Sequence, residues 1–337
     1  MISENAYTLN EDAPISDFLQ YYAKEKTRTN ARIALYHFLA TTSDECLLSD
    51  EETLDRYGSL YLKELKAGRN HVHDLLMTGT ILMESYAPAT IRLIMSIIML
   101  WMEDCGYPCT RRERQRIFLK LPPAYSIRNE AELTRKMFQS VYYNLKPVWA
   151  RVLLLVLLGS GMRIGETLSI RCRDVDWTAS RVSVYLHPEN TKTWKGRTIY
   201  LTREGADALR SYLETRQNLT PDSLIFPYSV SAVEHAMRMA VDNTRYGKQG
   251  RSPRQVHWHM TRKWFISRFS LYASKEVAEE LAGHEGYLSK SYQRFTKRQI
   301  LSQFSKAEKY LILFPETGEK KPETPQNSQK SAESAAT

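Results

Sequence analysis

Six residues in the second half of the chain are of the types needed to transfer a phosphodiester. They are two arginines, two histidines, a lysine and a tyrosine: Arg163, Lys192, His259, Arg262, His284 and Tyr292. In phosphoryl transfer, negative charge builds up on the non-bridging oxygens, and fixed cations stabilise that state more than the ground state. Arginine suits this task because its guanidinium stays charged and donates two parallel hydrogen bonds. The set therefore predicts a cationic clamp on a phosphodiester that a tyrosine attacks.

The elements that must position these residues are predicted from about residue 130 onward. Residues 148–158 are apolar on all sides, which predicts a buried helix leading into the segment of Arg163. Alternating apolar residues at 182–186 and 199–201 predict two strands, and the polar turn between them carries Lys192. Further helical patterns occur at 132–145, 206–215, 231–243, 261–272, 275–281 and 297–314.

The N-terminal part carries the pattern of a separate helical domain. Apolar residues recur at helical spacing within 31–39 and 91–102. Pro88 suits the first turn of the second of these helices, and Gly106 suits its end. A compact helical bundle is therefore expected over residues 15–115.

A basic run and a proline pair follow the bundle. The run contains Arg111, Arg112, Arg114 and Arg116, and it is either a solvated strap or a surface that lies against phosphates. Leu-Pro-Pro-Ala at 121–124 predicts an interdomain linker. We therefore expect domains at 1–116 and 131–314 with a linker at 117–130. The tail at 315–337 is rich in Pro, Glu, Lys, Ser and Gln, which predicts disorder.

Composition favours a reduced, cytosolic protein with an anionic partner. The chain of 337 residues has a net charge of +9 and a pI of about 9.2, which favours nucleic acid. No uncharged apolar run is long enough to span a membrane. Cys105 and Cys109, with His71 and His73 upstream, are a conceivable zinc set, but the simpler interpretation is reduced cysteines.

Five elements, in this order along residues 163–292, resemble those of the tyrosine recombinase (phage integrase) family. They are Gly-Met-Arg163-Ile-Gly-Glu166, a strand–turn–strand with Lys192, His259-Met-Thr-Arg262, Ala-Gly-His284 and Tyr292. The stretch 282–292 is similar in particular to archaeal-type integrases, including those of archaeal viruses. Ala282 stands where the family usually has leucine, which removes no reactive group.

The resemblance implies a fold, an activity and partners. The fold is mainly α with a small β-sheet: a helical core-binding (SAM-like) N-terminal domain and an α+β catalytic domain, which together wrap duplex DNA as a C-shaped clamp. The activity is site-specific DNA recombination through a 3′-phosphotyrosyl intermediate. The partners are double-stranded DNA and three further copies in a synaptic homotetramer that associates weakly without DNA. Neither a cofactor nor a metal is implied, because arginine and lysine supply the positive charge.

The resemblance also implies a role for each residue. Arg163 and Arg262 contact the phosphate, and Glu166, one turn from Arg163, orients it. Tyr292 is the nucleophile; its unperturbed pKa is ~10, so it must lose its proton as it attacks, and His259 is the candidate acceptor.

Three further assignments complete the implied site. Lys192 protonates the departing 5′ oxygen, with Lys195 as an alternative in the same turn. His284 hydrogen-bonds the phosphate or positions the nucleophile. Tyr287 also follows His284, but three residues are too few to carry a tyrosine onto the next helix, whereas Tyr292 follows at eight. The family spacing is usually slightly longer than eight.

Other functions remain as alternatives. Type IB topoisomerases share the chemistry but act as monomers that relax supercoils. A non-catalytic DNA-binding protein of this fold is a second alternative, disfavoured because all six residues are present. A metal-dependent nuclease is least favoured, since no suitable carboxylate cluster stands out in the sequence. The apolar residues at the end of the segment 302–314 suit either donation to a neighbouring subunit or docking on the chain's own domain.

Overall fold

The structure, a computed structural model, describes residues 15–43, 48–123, 130–248, 254–283 and 295–315. The chain divides into two compact units, residues 1–127 and 128–337, each with its own apolar core. The described part is mainly helical with one small antiparallel sheet, which confirms the predicted fold class. Within these ranges, every helix is too short or too polar to span a lipid bilayer.

The first unit is built from helices alone over its described residues. These are α1 (Ile15–Gln20), α2 (Glu25–Thr42), α3 (Glu51–Lys66), α4 (His71–Leu82), α5 (Pro88–Asp104) and α6 (Arg111–Lys120). The two predicted apolar stripes are buried on α2 and α5, which pack against each other. Pro88 lies in the first turn of α5, and Gly106 follows its end with a φ of 86°, a conformation that favours glycine.

The first unit continues past residue 116, where the sequence predicted the linker to begin. The basic run lies on α6, whose N-terminus is closed by a capping box between Thr110 and Glu113. Ile117 and Leu121 are buried in the first core. The helix therefore extends through the expected boundary, because these two apolar side chains are covered by the bundle.

The cysteine pair belongs to the same core. Cys105 and Cys109 are buried free thiols, and burial raises the pKa of both. Their packing among apolar side chains is that of structural cysteines.

The second unit surrounds a buried central helix. The α-helices of its described residues are α7 (Arg135–Asn144), α8 (Val148–Ser160), α9 (Ile164–Leu168), α10 (Arg203–Glu214), α11 (Val230–Asp242), α12 (His259–Tyr272), α13 (Lys275–Ala282) and α14 (Lys297–Leu311). Ala150 and every residue from Val152 to the end of α8 are buried, as the apolar sequence predicts, and α10, α11 and α12 pack against this helix. The short helix α9 was not predicted.

A three-stranded antiparallel sheet carries the lysine turn. The strands are β1 (Val175–Asp176), β2 (Ser183–Leu186) and β3 (Arg197–Tyr200), in the order β1-β2-β3. Val184 pairs with Ile199, and Leu186 pairs with Arg197. The two predicted strands are confirmed, and β1 adds a third that is only two residues long.

The C-terminal segment docks on its own unit as far as it is described. Leu311 and Leu313 are fully buried, and the Phe314 ring packs edge-on against Tyr142, with ring centroids 4.9 Å apart. The carboxylate of Glu204 accepts hydrogen bonds of 2.7 Å from the backbone N–H groups of both Leu313 and Phe314. Of the two alternatives for this segment, the structure has docking within the subunit.

Candidate active site

Arg163 is placed by the end of the central helix. Helix α8 stops at Gly161, whose φ of 68° is the left-handed conformation that ends many helices. A Cβ at Gly161 would lie 2.3 Å from the ring of Phe265, so glycine is required there for space as well. Two residues later, the extended backbone of Arg163 leads into α9 and leaves its side chain 27% exposed. The chain thus turns sharply and presents Arg163 at the surface of the core.

The carboxylate of Glu166 fixes Arg163 from two directions. Its Oε2 accepts a 2.9 Å hydrogen bond from the Arg163 backbone N–H, and its Oε1 accepts one of 2.8 Å from Nη1 of the same residue. Nη2 of Arg163 donates to the carbonyl oxygen of Gly283 at 3.2 Å. The ion pair expected between Arg163 and Glu166 is therefore present.

A second arginine shares this carboxylate. Nη2 of Arg197 donates to Oε2 of Glu166 at 2.7 Å, and its Nη1 donates to Oε1 at 3.3 Å. Glu166 is only 2% exposed; its burial opposes ionisation, but the charges and hydrogen bonds of Arg197 and Arg163 outweigh burial and lower the Glu166 pKa. The buried carboxylate is therefore ionised at neutral pH.

Arg262 lies near enough to Arg163 for their charges to interact, and it is almost completely buried. It sits in the first turn of α12 and is 2% exposed. Its Nη1 donates a hydrogen bond of 2.7 Å to the carbonyl oxygen of Gly161. Its Nε and Nη2 are buried, and neither has a hydrogen-bond partner among the described residues. Leaving a buried donor unpaired costs about 1–3 kcal/mol. The side chain of Arg262 is therefore suited to bind an additional hydrogen-bond acceptor.

The electrostatics of Arg262 agree with that interpretation. Burial, and after it the positive charge of Arg163, lowers the Arg262 pKa to about 10. The guanidinium is still charged at neutral pH. Three positive charges, those of Arg163, Arg197 and Arg262, are thus held near one carboxylate, Glu166, an arrangement that a bound anion would stabilise.

His259 begins α12 and is exposed. The ring of His257 lies parallel to that of His259, with centroids 6.4 Å apart. Nε2 of His257 is 3.1 Å from Oε1 of Glu130, whose other oxygen is 2.5 Å from Nζ of Lys263. The His-Trp-His sequence therefore places one histidine beside a carboxylate and the other at a helix start. No group of three or more His, Cys, Asp or Glu suited to a metal occurs within the described ranges.

Lys192 lies in the turn between β2 and β3, and its side chain is exposed. The hydroxyl of Thr191 closes this turn, since it accepts from the backbone N–H of Lys195 at 3.0 Å and donates to the carbonyl oxygen of Pro188 at 2.9 Å. Lys195 is exposed in the same turn. The turn leads directly into β3, whose first residue is Arg197. The two lysines are therefore only a few residues from Arg197, which hydrogen-bonds Glu166.

His284, Tyr287 and Tyr292 lie outside the described residues. The description ends at Gly283, which follows α13 with a φ of 66°. It resumes at residue 295, just before α14. Of the six predicted residues, the structure therefore gives positions for Arg163, Lys192, His259 and Arg262. It brings Arg163 and Arg262 together around Gly161 and leaves Lys192 and His259 exposed.

Arg197 is the site residue that sequence reasoning missed. Its partners are Glu166, Leu281 and Ala282, which lie 31, 84 and 85 residues away along the chain. No local pattern marks it, apart from its place at the start of the strand that follows the lysine turn.

The chain is similar to known proteins in part of its sequence and in its fold. Residues 129–289 match the phage integrase family. No curated protein matches the sequence.

Among solved structures, a lambda integrase dimer bound to a COC′ core site is 14% identical, with a TM-score of 0.60 over 84% of this chain and 98% of that chain. A lambda integrase tetramer bound to a Holliday junction is 16% identical, with a TM-score of 0.52 over 84% and 88%. The Tn1549 transposon integrase in complex with circular intermediate DNA is 14% identical, with a TM-score of 0.50 over 81% and 98%. At these identities the likeness is one of fold.

Proposed function

We propose that the chain is a site-specific tyrosine recombinase, because residues 129–289 match the phage integrase family. It cleaves and rejoins strands of double-stranded DNA through a covalent 3′-phosphotyrosyl intermediate, in the integration, excision or resolution of DNA. The observation that carries this proposal is the pair Arg163 and Arg262. Arg163 is fixed by Glu166 and is partly exposed, whereas Arg262 is buried and has two guanidinium nitrogens without a hydrogen-bond partner among the described residues.

The pair is preorganised for a scissile phosphate. A phosphate oxygen that accepts from Arg262 would satisfy buried donors that have no partner in the part of the chain that the structure describes. Because Glu166 and the Gly283 carbonyl already hold Arg163, little reorganisation is needed when negative charge develops on the phosphate. This arrangement favours the five-coordinate state over the ground state.

The proposed reaction moves two protons. The Tyr292 oxygen attacks phosphorus and transfers its proton to His259, while the bond from phosphorus to the 5′ oxygen breaks. Lys192 gives a proton to that departing oxygen. His284 donates a hydrogen bond to the phosphate. A free 5′-hydroxyl then attacks the phosphotyrosine in the reverse sense, so the strand is rejoined without an external energy source.

We also propose how the protein assembles and where it acts. It works in the cytoplasm as a homotetramer on paired DNA sites and associates weakly without DNA. The lambda integrase tetramer bound to a Holliday junction has a related fold, which supports this proposal. Phosphate contacts dominate affinity, so the logarithm of the binding constant should fall against the logarithm of salt concentration by about 0.9 per phosphate neutralised.

A nicked suicide substrate tests the proposal. With a nick close to the scissile phosphate, the short cleaved fragment diffuses away and a recombinase stays covalently attached to the remaining DNA. The covalent adduct should form in EDTA, since arginine and lysine supply the positive charge. Strict dependence on Mg²⁺ would contradict the mechanism. Relaxation of supercoiled plasmid by a monomer, without exchange between sites, would identify the topoisomerase alternative.

A further inference from the structure

Arg197 is a third arginine at the site, and the resemblance assigns it no role. We propose that Arg197 is a positioning residue for strand cleavage: it keeps the charge of Arg163 available to the phosphate and fixes the C-terminal end of α13. The inference rests on the proposed recombinase function. Four hydrogen bonds, to three residues in two distant segments of the chain, support it.

Arg197 sets the net charge of the group around Glu166. Arg163 and Arg197 share one carboxylate, and each donates to it through its guanidinium. The three side chains carry two positive charges and one negative charge, so the group has a net charge of +1. Without Arg197, Arg163 and Glu166 would form a neutral pair. Because the Arg197 side chain is only 13% exposed, solvent screens its charge weakly.

Arg197 also contacts the C-terminal end of α13. Nε of Arg197 donates to the carbonyl oxygen of Leu281 at 3.0 Å, and its Nη2 donates to that of Ala282 at 3.2 Å. These are carbonyls of the last turn, which have no partner within the helix and attract a cation. Arg197 therefore anchors the point from which the chain continues to His284 and Tyr292.

Arg197 also lies against the backbone of Gly283, the residue before His284. A Cβ at Gly283 would lie 2.7 Å from both Cζ and Nη1 of Arg197. The left-handed φ of 66° also favours glycine at this position. Arg197 therefore packs directly against the Gly283 backbone, whose carbonyl oxygen in turn accepts from Arg163. The guanidinium of Arg197 thus links the start of β3, just after the lysine turn, to the Glu166 carboxylate and to the end of α13.

Single-turnover cleavage of the suicide substrate separates positioning from folding. The amplitude counts the molecules that are competent to react, and the rate constant reports the transition state in those molecules. For Arg197→Met we expect DNA affinity and amplitude like those of the wild type, and a rate constant lowered about 10-fold, as for residues that orient reactive groups. Arg197→Lys keeps the charge but loses the planar fork, so it should restore part of the rate.

Arg181 offers a matched control. It forms a comparably buried ion pair with Glu308, with Nη2 and Oε2 2.7 Å apart and side chains 14% and 16% exposed. Arg181→Met should leave the cleavage rate constant unchanged. A wild-type rate in Arg197→Met, or a reduced amplitude with an unchanged rate, would overturn the role of Arg197. Equal rate losses in Arg181→Met and Arg197→Met would overturn it as well. Absence of adduct from the wild-type protein would instead contradict the recombinase function.

Discussion

Arg262 donates a 2.7 Å hydrogen bond from Nη1 to the carbonyl oxygen of Gly161, 101 residues earlier in the chain. Gly161 ends α8, and Arg163 follows two residues later. One backbone turn therefore holds both arginines: it carries the first and hydrogen-bonds the second. The remaining nitrogens of Arg262 are buried without partners among the described residues. Burying these donors costs free energy, which a hydrogen bond to a phosphate oxygen would recover.

Arg262→Met is expected to stabilise the DNA-free protein while it removes activity. Methionine fills similar space without a buried charge or unpaired donors, so the free energy of unfolding should rise by about 1 kcal/mol. Cleavage should fall by about 10²–10³, the usual effect of removing a fixed transition-state donor. Urea denaturation and single-turnover cleavage measure the two effects.

Arg268 on the same helix provides the control for this prediction. Its guanidinium packs over the Trp264 ring and donates to the carbonyl oxygen of Leu133 at 3.0 Å. Arg268→Met should therefore destabilise the protein and leave the cleavage rate unchanged. A clear loss of stability in Arg262→Met would show that its guanidinium is satisfied in the free protein, against the present interpretation.

Glu166→Gln should change the dependence of stability on pH. The folded protein lowers the Glu166 pKa below its unfolded value of ~4.3, so ionised Glu166 adds stability that is fully present above that value. This contribution disappears as the pH falls through the folded pKa. The difference in unfolding free energy between wild type and Glu166→Gln should thus be largest near neutral pH and shrink in acid.

Denaturation curves at a series of pH values measure this difference. Glu279→Gln is a suitable control, because among the described residues the ion pair of Glu279 is a 3.9 Å contact with the exposed Lys275. Its effect should be small at every pH. A difference for Glu166→Gln that stays constant from neutral to strongly acidic pH would contradict an ionised carboxylate shared by Arg163 and Arg197.

Lys192→Ala should slow cleavage of a normal substrate but not of one with a better leaving group. A 5′-phosphorothiolate needs no proton to depart, so it should restore the rate of Lys192→Ala toward that of the wild type. Lys195→Ala, in the same turn, is the matched comparison and should be insensitive to the leaving group. The opposite pattern would transfer the role of the general acid to Lys195.

Leu313→Ala should destabilise the protein regardless of its concentration. Leu313 is fully buried in the core of its own unit, so its truncation should cost about 2–5 kcal/mol in the free energy of unfolding. Because the segment docks within the subunit, the loss should be the same in dilute and in concentrated protein. A loss that appears only in concentrated or DNA-assembled protein would mean that a neighbouring subunit receives this segment instead.

The sequence predicted the parts of this fold that carry strong local patterns. The apolar run of α8 and the apolar stripe of α5 were predicted as helices, and both are helices in the structure. These two patterns are reliable because each follows directly from which residues are buried. The short elements β1 and α9 were missed, since two and five residues are too few to establish a period. Helix α6 was missed because its basic sequence leaves only Ile117 as a buried residue within it.

The candidate site shows the same limit. Glu166 was expected beside Arg163 because the two lie one helical turn apart. Arg197 was not expected, because its partners come from two distant segments that only the folded chain brings together. The burial of Arg262, which leaves its guanidinium ready to bind a phosphate, is likewise a result of packing. The local sequence His-Met-Thr-Arg does not reveal it.

The formation of a covalent bond between Tyr292 and DNA tests the account most directly. The measurement is the amount of adduct on a nicked suicide substrate, resolved on a denaturing gel, for wild type, Tyr292→Phe and Tyr287→Phe. We expect adduct from the wild type and from Tyr287→Phe, and none from Tyr292→Phe, which should bind the same DNA with nearly unchanged affinity. Persistent adduct in Tyr292→Phe with loss in Tyr287→Phe would move the nucleophile to Tyr287, and the absence of adduct from all three proteins would contradict the phosphotyrosyl mechanism.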